Sequence, residues 1–102
     1  MRVYFDNAAT TPLRSEVVEV ISANLIETFG NPSSIHGYGR KAKTTIESAR
    51  KSIAKQFNAA ASEIIFTSGG TESDNMIFYC AADDLGVKKI ITSKIEHHAV
   101  LH

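Results

Sequence analysis

The chain has 102 residues, 43% of them hydrophobic and 22% charged, a composition that fits one small globular unit and excludes a disordered tail. Eleven Lys plus Arg balance eleven Asp plus Glu, and this zero formal charge gives no footprint for nucleic acid and no case for an anionic membrane. A single cysteine, Cys80, excludes an internal disulfide framework and fits a reducing compartment.

The amino terminus, Met1-Arg2-Val3-Tyr4-Phe5-Asp6-Asn7, has no apolar core followed by a small-residue cleavage site, so no secretory signal is expected. No apolar run approaches the ~20 residues of a membrane helix. A soluble, cytoplasmic protein is the expectation.

Residues 1–14 read as a polar lead-in. Ser15 is placed as an N-cap, with Glu16 and Glu19 where a helix dipole favours negative charge. Val17, Val18, Ile21, Leu25 and Phe29 recur at three- and four-residue spacing, which predicts a helix from about Ser15 to Phe29. Gly30 and Pro32 stop it. The stretch Gly30 to Gly39 is rich in turn formers and reads as a loop.

A second helical stripe runs through Tyr38, Ala42, Ile46, Ala49, Ile53 and Phe57, with Arg40, Lys41, Lys43, Glu47, Arg50, Lys51 and Lys55 opposite. Asn58 is its expected left-handed terminator. Glu63-Ile64-Ile65-Phe66-Thr67-Ser68 reads as a buried strand ended by Gly69-Gly70. A third helix is predicted from about Thr71 to Ala82, broken by Asp83, Asp84 and Gly86. Lys88-Lys89-Ile90-Ile91-Thr92-Ser93 reads as a second strand.

The expected fold class is therefore α/β, a parallel, right-handed βαβ unit preceded by two helices. Two parallel strands cannot cover their own faces, and the second keeps an open edge. The pattern reads as a fold cut off midway, and the isolated chain is expected to be aggregation-prone or dynamic.

Four segments could carry chemistry. Ser68-Gly69-Gly70-Thr71-Glu72-Ser73-Asp74-Asn75 joins the first strand to the third helix. Its glycines let the backbone turn tightly and approach a ligand without Cβ interference. Helix-start N–H groups, the positive dipole end and the Thr71 hydroxyl together suit a phosphate. It is neither a Walker A loop nor GxGxxG. The same residues also read as a capping-box-like start built from Thr71 and Asp74, and the two readings are compatible.

Glu96-His97-His98 follows the second strand and would place an imidazole over the same strand-end crevice, to stack on a planar group or move protons. Adjacent histidines point apart and make a poor metal site, so no metal is expected; read alone, the pair is surface decoration. The lead-in Asp6-Asn7-Ala8-Ala9-Thr10-Thr11-Pro12 and the loop Phe29-Gly30-Asn31-Pro32-Ser33-Ser34-Ile35-His36 read physically as turn chemistry. Cys80, among Phe78, Tyr79, Ala81 and Ala82 with no evident basic neighbour, reads as a small buried thiol.

In this order, the four segments resemble the start of cysteine desulfurases, in the class V aminotransferase group of fold-type I pyridoxal-phosphate enzymes. The resemblance covers essentially the whole chain. It implies that residues 1–102 are the N-terminal part of a class V aminotransferase domain: lead-in 1–14, then helices and the start of the large cofactor-binding domain in 15–102. It implies pyridoxal 5'-phosphate as cofactor, with its phosphate on Gly70 and Thr71 and the ring stacked on His97 rather than His98. Asn7, Ala8, Ala9, Thr10 and Asn31 are implied to line the active-site entrance.

The implied reaction is a transferase chemistry that draws sulfur from L-cysteine, releases alanine and leaves an enzyme persulfide for iron–sulfur cluster assembly or tRNA thiolation. The implied partners are a sulfur-acceptor or scaffold protein and a second subunit of a homodimer, with no nucleic acid and no membrane. Family members are several times longer and carry a Ser-x-His-Lys segment with the Schiff-base Lys, an acidic partner for the pyridine nitrogen and a mobile loop with the catalytic Cys. None of these occurs in residues 1–102. Lys94 precedes His97 and does not match the Schiff-base position, and Cys80 does not match the persulfide cysteine. The alternatives are a selenocysteine lyase or another class V transaminase, or a truncated fragment without catalysis of its own.

Overall fold

The computed structural model describes residues 1–101. They divide into two compact units, one from Met1 to Glu63 and one from Ile64 onward. Both are built from helices, turns and extended coil; no strand forms among the described residues.

The first unit opens with a lead-in knotted by local hydrogen bonds. Ala9 and Thr10 donate their main-chain N–H to the Asp6 carbonyl at 3.1 and 3.3 Å. The Tyr4 hydroxyl donates to the same carbonyl at 3.0 Å and lies 2.7 Å from Thr10 Oγ1. Helix α1 then spans Ser15–Glu27. Its N-cap is Arg14, and no side chain caps it; the Ser15 hydroxyl turns instead toward Glu16 at 3.4 Å, so the expected Ser15 cap does not form. The apolar stripe does form, yet Val17, Val18, Ile21 and Leu25 all remain exposed, because among the described residues no other element packs on α1.

Helix α2 spans Gly37–Gln56 and is capped by His36, whose Nδ1 accepts from Gly39 N at 3.4 Å. The loop before it closes so tightly that two glycine positions have no room for a Cβ. A Cβ on Gly39 would lie 2.6 Å from the Asn31 carbonyl oxygen and would also press on that of Ser34. A Cβ on Gly30 would lie 2.5 Å from the Tyr38 carbonyl carbon. Phe29 packs on Tyr38 with ring centroids 5.2 Å apart. Ala42 and Ala54 are the buried apolar residues, and α2 packs on a single 3-10 turn at Ala61–Glu63. Asn58 adopts φ 51°, the left-handed terminator that the sequence predicts.

The second unit contains helix α3, Gly70–Tyr79, which widens into a π-helical segment over Cys80–Asp84. Gly86 closes it at φ 64°. The helix therefore runs through Asp83 and Asp84, which were expected to break it. Helix α4, His98–Leu101, packs against α3.

The two expected strands are corrected here. Glu63–Ser68 and Lys88–Ser93 form no strand, and the βαβ unit does not assemble among the described residues. A parallel strand exists only through its neighbours and needs cover on both faces. Ile65, Ile90 and Ile91 keep their apolar side chains exposed instead. Cys80 is also exposed, against the expectation of a buried thiol, since nothing covers that face of the π segment.

Exposure is the general condition. The accessible surface is 9135 Å², whereas a compact monomer of 11.1 kDa presents about 5,700 Å². No helix of the described residues is long and apolar enough to cross a membrane.

Candidate functional site

The turn that opens α3 is built by side chains on either side of its two glycines. Thr67 Oγ1 and Ser73 Oγ lie 2.7 Å apart, and each donates to the Gly69 carbonyl at 3.2 Å. Ser73 N joins them at 3.2 Å on the same oxygen. Glu72 Oε2 reaches back to accept from Ser68 N at 2.6 Å and from Ser68 Oγ at 2.7 Å. Those two bonds, the main-chain one first, stabilise the ionised form and hold the Glu72 carboxyl below the usual glutamate range.

The capping arrangement thus differs from the expected Thr71–Asp74 box. Gly69 occupies the N-cap, no side chain caps the helix, and the reciprocal contact is Ser68 with Glu72. Thr71 is exposed; its carbonyl accepts from Asn75 Nδ2 at 2.8 Å, while its hydroxyl makes no hydrogen bond among the described residues. Gly70 and Thr71 therefore begin the helix with main-chain N–H groups that no side chain intercepts.

Of the two expected roles of the glycines, one holds. Gly69 is extended, at φ 168°, a conformation open to any residue. Neither glycine is needed for a left-handed turn. What they supply is bareness: a Cβ on Gly69 or Gly70 would meet nothing within 4 Å. The helix start is an open, donor-lined surface, and the dipole makes it attractive to an anion.

His97 lies immediately before α4 and acts as its cap: Nδ1 accepts from Ala99 N at 3.1 Å, and the His97 carbonyl accepts from Val100 N at 2.9 Å. An accepting Nδ1 puts the ring proton on Nε2, at the exposed end of the imidazole. The His97 and His98 rings are 6.3 Å apart and nearly perpendicular. Because α4 packs on α3, the fold brings the segment bearing His97 to the helix opened by Gly70 and Thr71. No cluster of three metal-ligating side chains occurs among the described residues.

The remaining expected site residues belong to the first unit. Asn7, Ala8 and Ala9 make the exposed turn after Asp6, with Thr10 tied to Tyr4. Asn31 folds its Oδ1 onto Ser33 N at 2.9 Å and its carbonyl onto Ser34 N at 3.0 Å. Thr67, Ser68, Glu72 and Ser73 build the turn and were not read as its builders from sequence. The available signal was Glu72 standing four residues after Ser68.

The sequence matches the class-V aminotransferase family over residues 3–102, and the chain belongs to that family. It is 60% identical over 101 residues to a Dictyoglomus turgidum protein named cysteine desulfurase IscS, covering 97% of this chain and 26% of that protein. A Bacillus subtilis protein named putative cysteine desulfurase IscS 1 is 51% identical over 104 residues. A solved structure titled NifS-like protein superposes with a TM-score of 0.86 at 47% identity, over 99% of this chain and 28% of its own. The chain thus spans about a quarter of the length of these relatives.

Proposed function

We propose that residues 1–102 form the amino-terminal, cofactor-phosphate-binding part of a pyridoxal-phosphate-dependent cysteine desulfurase. The carrying observation is the bare, uncapped start of α3 in a chain 60% identical to a protein of that name. The residues fit the group. A phosphate needs donors and close approach, and Gly70 and Thr71 offer main-chain N–H groups, a hydroxyl and no Cβ on the Gly69–Gly70 edge.

In this reading Gly70, Thr71 and the Thr71 hydroxyl would hold the phosphate, and Glu72 keeps Ser68 and the turn in place. His97 would lie against the pyridine ring, its Nε2–H free to donate toward substrate while Nδ1 stays committed to α4. Asn7, Ala8, Ala9, Thr10 and Asn31 would line the entrance. When bound, the cofactor supplies an electron sink for bond changes at the substrate carbon next to nitrogen. L-Cysteine is the proposed substrate, a sulfur-accepting protein the proposed acceptor, a homodimer the proposed assembly and the cytoplasm the proposed location.

The test is an amide-resolved NMR titration of the chain with pyridoxal 5'-phosphate, and in parallel with pyridoxal. Phosphate-dependent shifts confined to Gly69, Gly70, Thr71 and their neighbours are expected. Equal response to pyridoxal, or shifts elsewhere only, would overturn the assignment.

A further inference from the structure

Helix α2 concentrates charge in a chain that has none overall. It carries six basic residues, Arg40, Lys41, Lys43, Arg50, Lys51 and Lys55, against one acid, Glu47. Two of the six are neutralised: Lys41 Nζ lies 3.7 Å from Glu27, and Arg50 Nε lies 3.3 Å from Glu47. Arg40, Lys43, Lys51 and Lys55 have no carboxylate partner among the described residues, and all four are exposed.

Their spacing places them on one side. Offsets of three, eleven and fifteen residues from Arg40 fall within roughly a third of the helix circumference and extend over about 22 Å. Arg40, Lys43, Thr44, Glu47, Ser48 and Lys51 line one open surface depression along it. Arg40 is held in place by a hydrogen bond from Nη1 to the Ile35 carbonyl, and Thr44 Oγ1 donates to the Arg40 carbonyl at 2.9 Å.

Helix stability accounts for only part of this arrangement: Lys55 in the last turn suits the dipole, and Glu47 stands four residues before Lys51. Arg40 with Lys43, and Lys51 with Lys55, are like charges at three- and four-residue spacing, which disfavour a helix. The first turn contains no acidic residue to meet the dipole. Nor is the stripe a surface that an apolar core could cover, since unpaired buried cations are costly. The exposed apolar residues of the chain can be covered that way; these cannot.

We propose that this face of α2 docks an acidic protein segment, a helix of about four turns with carboxylates along one side. Nucleic acid fits less well. Glu47 interrupts the cationic track at its middle, no aromatic side chain interleaves with the cations, and the chain has no net positive charge to steer a polyanion. A protein partner can use Glu47, Thr44 and Ser48 as a polar centre between the flanking cations. The inference is independent of the cofactor reading.

The test uses fluorescence anisotropy on the full chain with three labelled probes. These are an alanine-based helical peptide with glutamates at three- and four-residue spacing, a scrambled peptide of the same composition, and oligodeoxythymidine. The patterned peptide is expected to bind best and to weaken with salt. The double variant Lys43→Glu/Lys51→Glu should weaken it on the order of tenfold. Lys43→Ala/Lys51→Ala should weaken it less, and Lys88→Glu/Lys89→Glu should leave it unchanged, with far-ultraviolet circular dichroism equal throughout. Equal binding of the scrambled peptide, tighter binding of the oligonucleotide, or indifference to the α2 variants overturns the proposal. So does self-association of the chain that the Lys43→Glu/Lys51→Glu variant abolishes, because the occupant is then a second copy.

Discussion

Glu72 and Ser68 close the start of α3 from outside: one carboxylate oxygen accepts from both the main-chain N–H and the hydroxyl of Ser68, at 2.6 and 2.7 Å. The turn is thereby held while its N-cap, Gly69, stays free of any side-chain cap. An anion-attracting helix end is left open by the residue that would most naturally have filled it.

Acid should release that clasp. The Glu72 carboxyl lies below its ordinary range because Ser68 binds the ionised form. A lowered carboxyl contributes order that is fully present above the unfolded value and is lost as pH falls through the folded one. Exchange of the Ser68 amide, corrected for intrinsic rate, should therefore be constant from neutrality down to the ordinary glutamate range and rise below it. Glu72→Gln should abolish the acid-dependent step. An identical step in that variant would assign it to another group.

Glycine replacements should divide into two classes. Gly39→Ala gains helix propensity of about 1 kcal/mol, but its Cβ would sit 2.6 Å from the Asn31 carbonyl oxygen. Overpacking against main chain costs about 1–3 kcal/mol, so the clash outweighs the propensity and the variant should lose helix content on heating earlier. Gly30→Ala should behave likewise. Gly69→Ala should stay within about 0.5 kcal/mol of the parent, since nothing stands near its Cβ. Thermal melts followed by circular dichroism distinguish these outcomes, and a stabilised Gly39→Ala would refute the packing argument.

These contrasts indicate what could be read in advance. Helices α1 and α2 were legible because a 3.6-residue stripe is local, α3 because its start after Gly69-Gly70 is local, and Asn58 because its left-handed turn is local too. The strands were not. Glu63–Ser68 and Lys88–Ser93 have strand-like composition, but a strand depends on neighbours distant in sequence, and none forms among the described residues. At the site, Gly69-Gly70-Thr71 was legible as a helix start. Of the two reasons expected for its glycines, the edge free of Cβ is present, while no left-handed backbone is needed. Burial of Cys80 was misjudged because apolar neighbours on one helix do not reveal whether a second element covers them.

The uncovered surface has its own consequence. An accessible area of 9135 Å², against about 5,700 Å² for a compact monomer, leaves Val20, Leu25, Ile26, Phe29, Ile91 and Ile95 among many apolar side chains in water. The isolated chain should bind an environment-sensitive apolar dye and sediment as concentration-dependent oligomers. Leu25→Asp, on the exposed stripe of α1, should reduce both. A sharp melt as a dye-silent monomer at all concentrations would contradict the exposure of these side chains.

His97 combines two roles that substitution can separate. Its Nδ1 caps α4 through Ala99 N, a task that Asn performs about as well as any side chain. Its ring is the proposed contact with the pyridine of the cofactor, a task that Asn cannot perform. His97→Asn should therefore keep the Ala99 amide protected while weakening pyridoxal 5'-phosphate binding several-fold. His97→Ala should lose the binding and also expose the Ala99 amide, since removing a cap costs about 1 kcal/mol. Hydrogen exchange reads the first effect and the NMR titration the second. If His97→Asn binds the cofactor as the parent does, the ring makes no such contact, and the histidine is a cap alone.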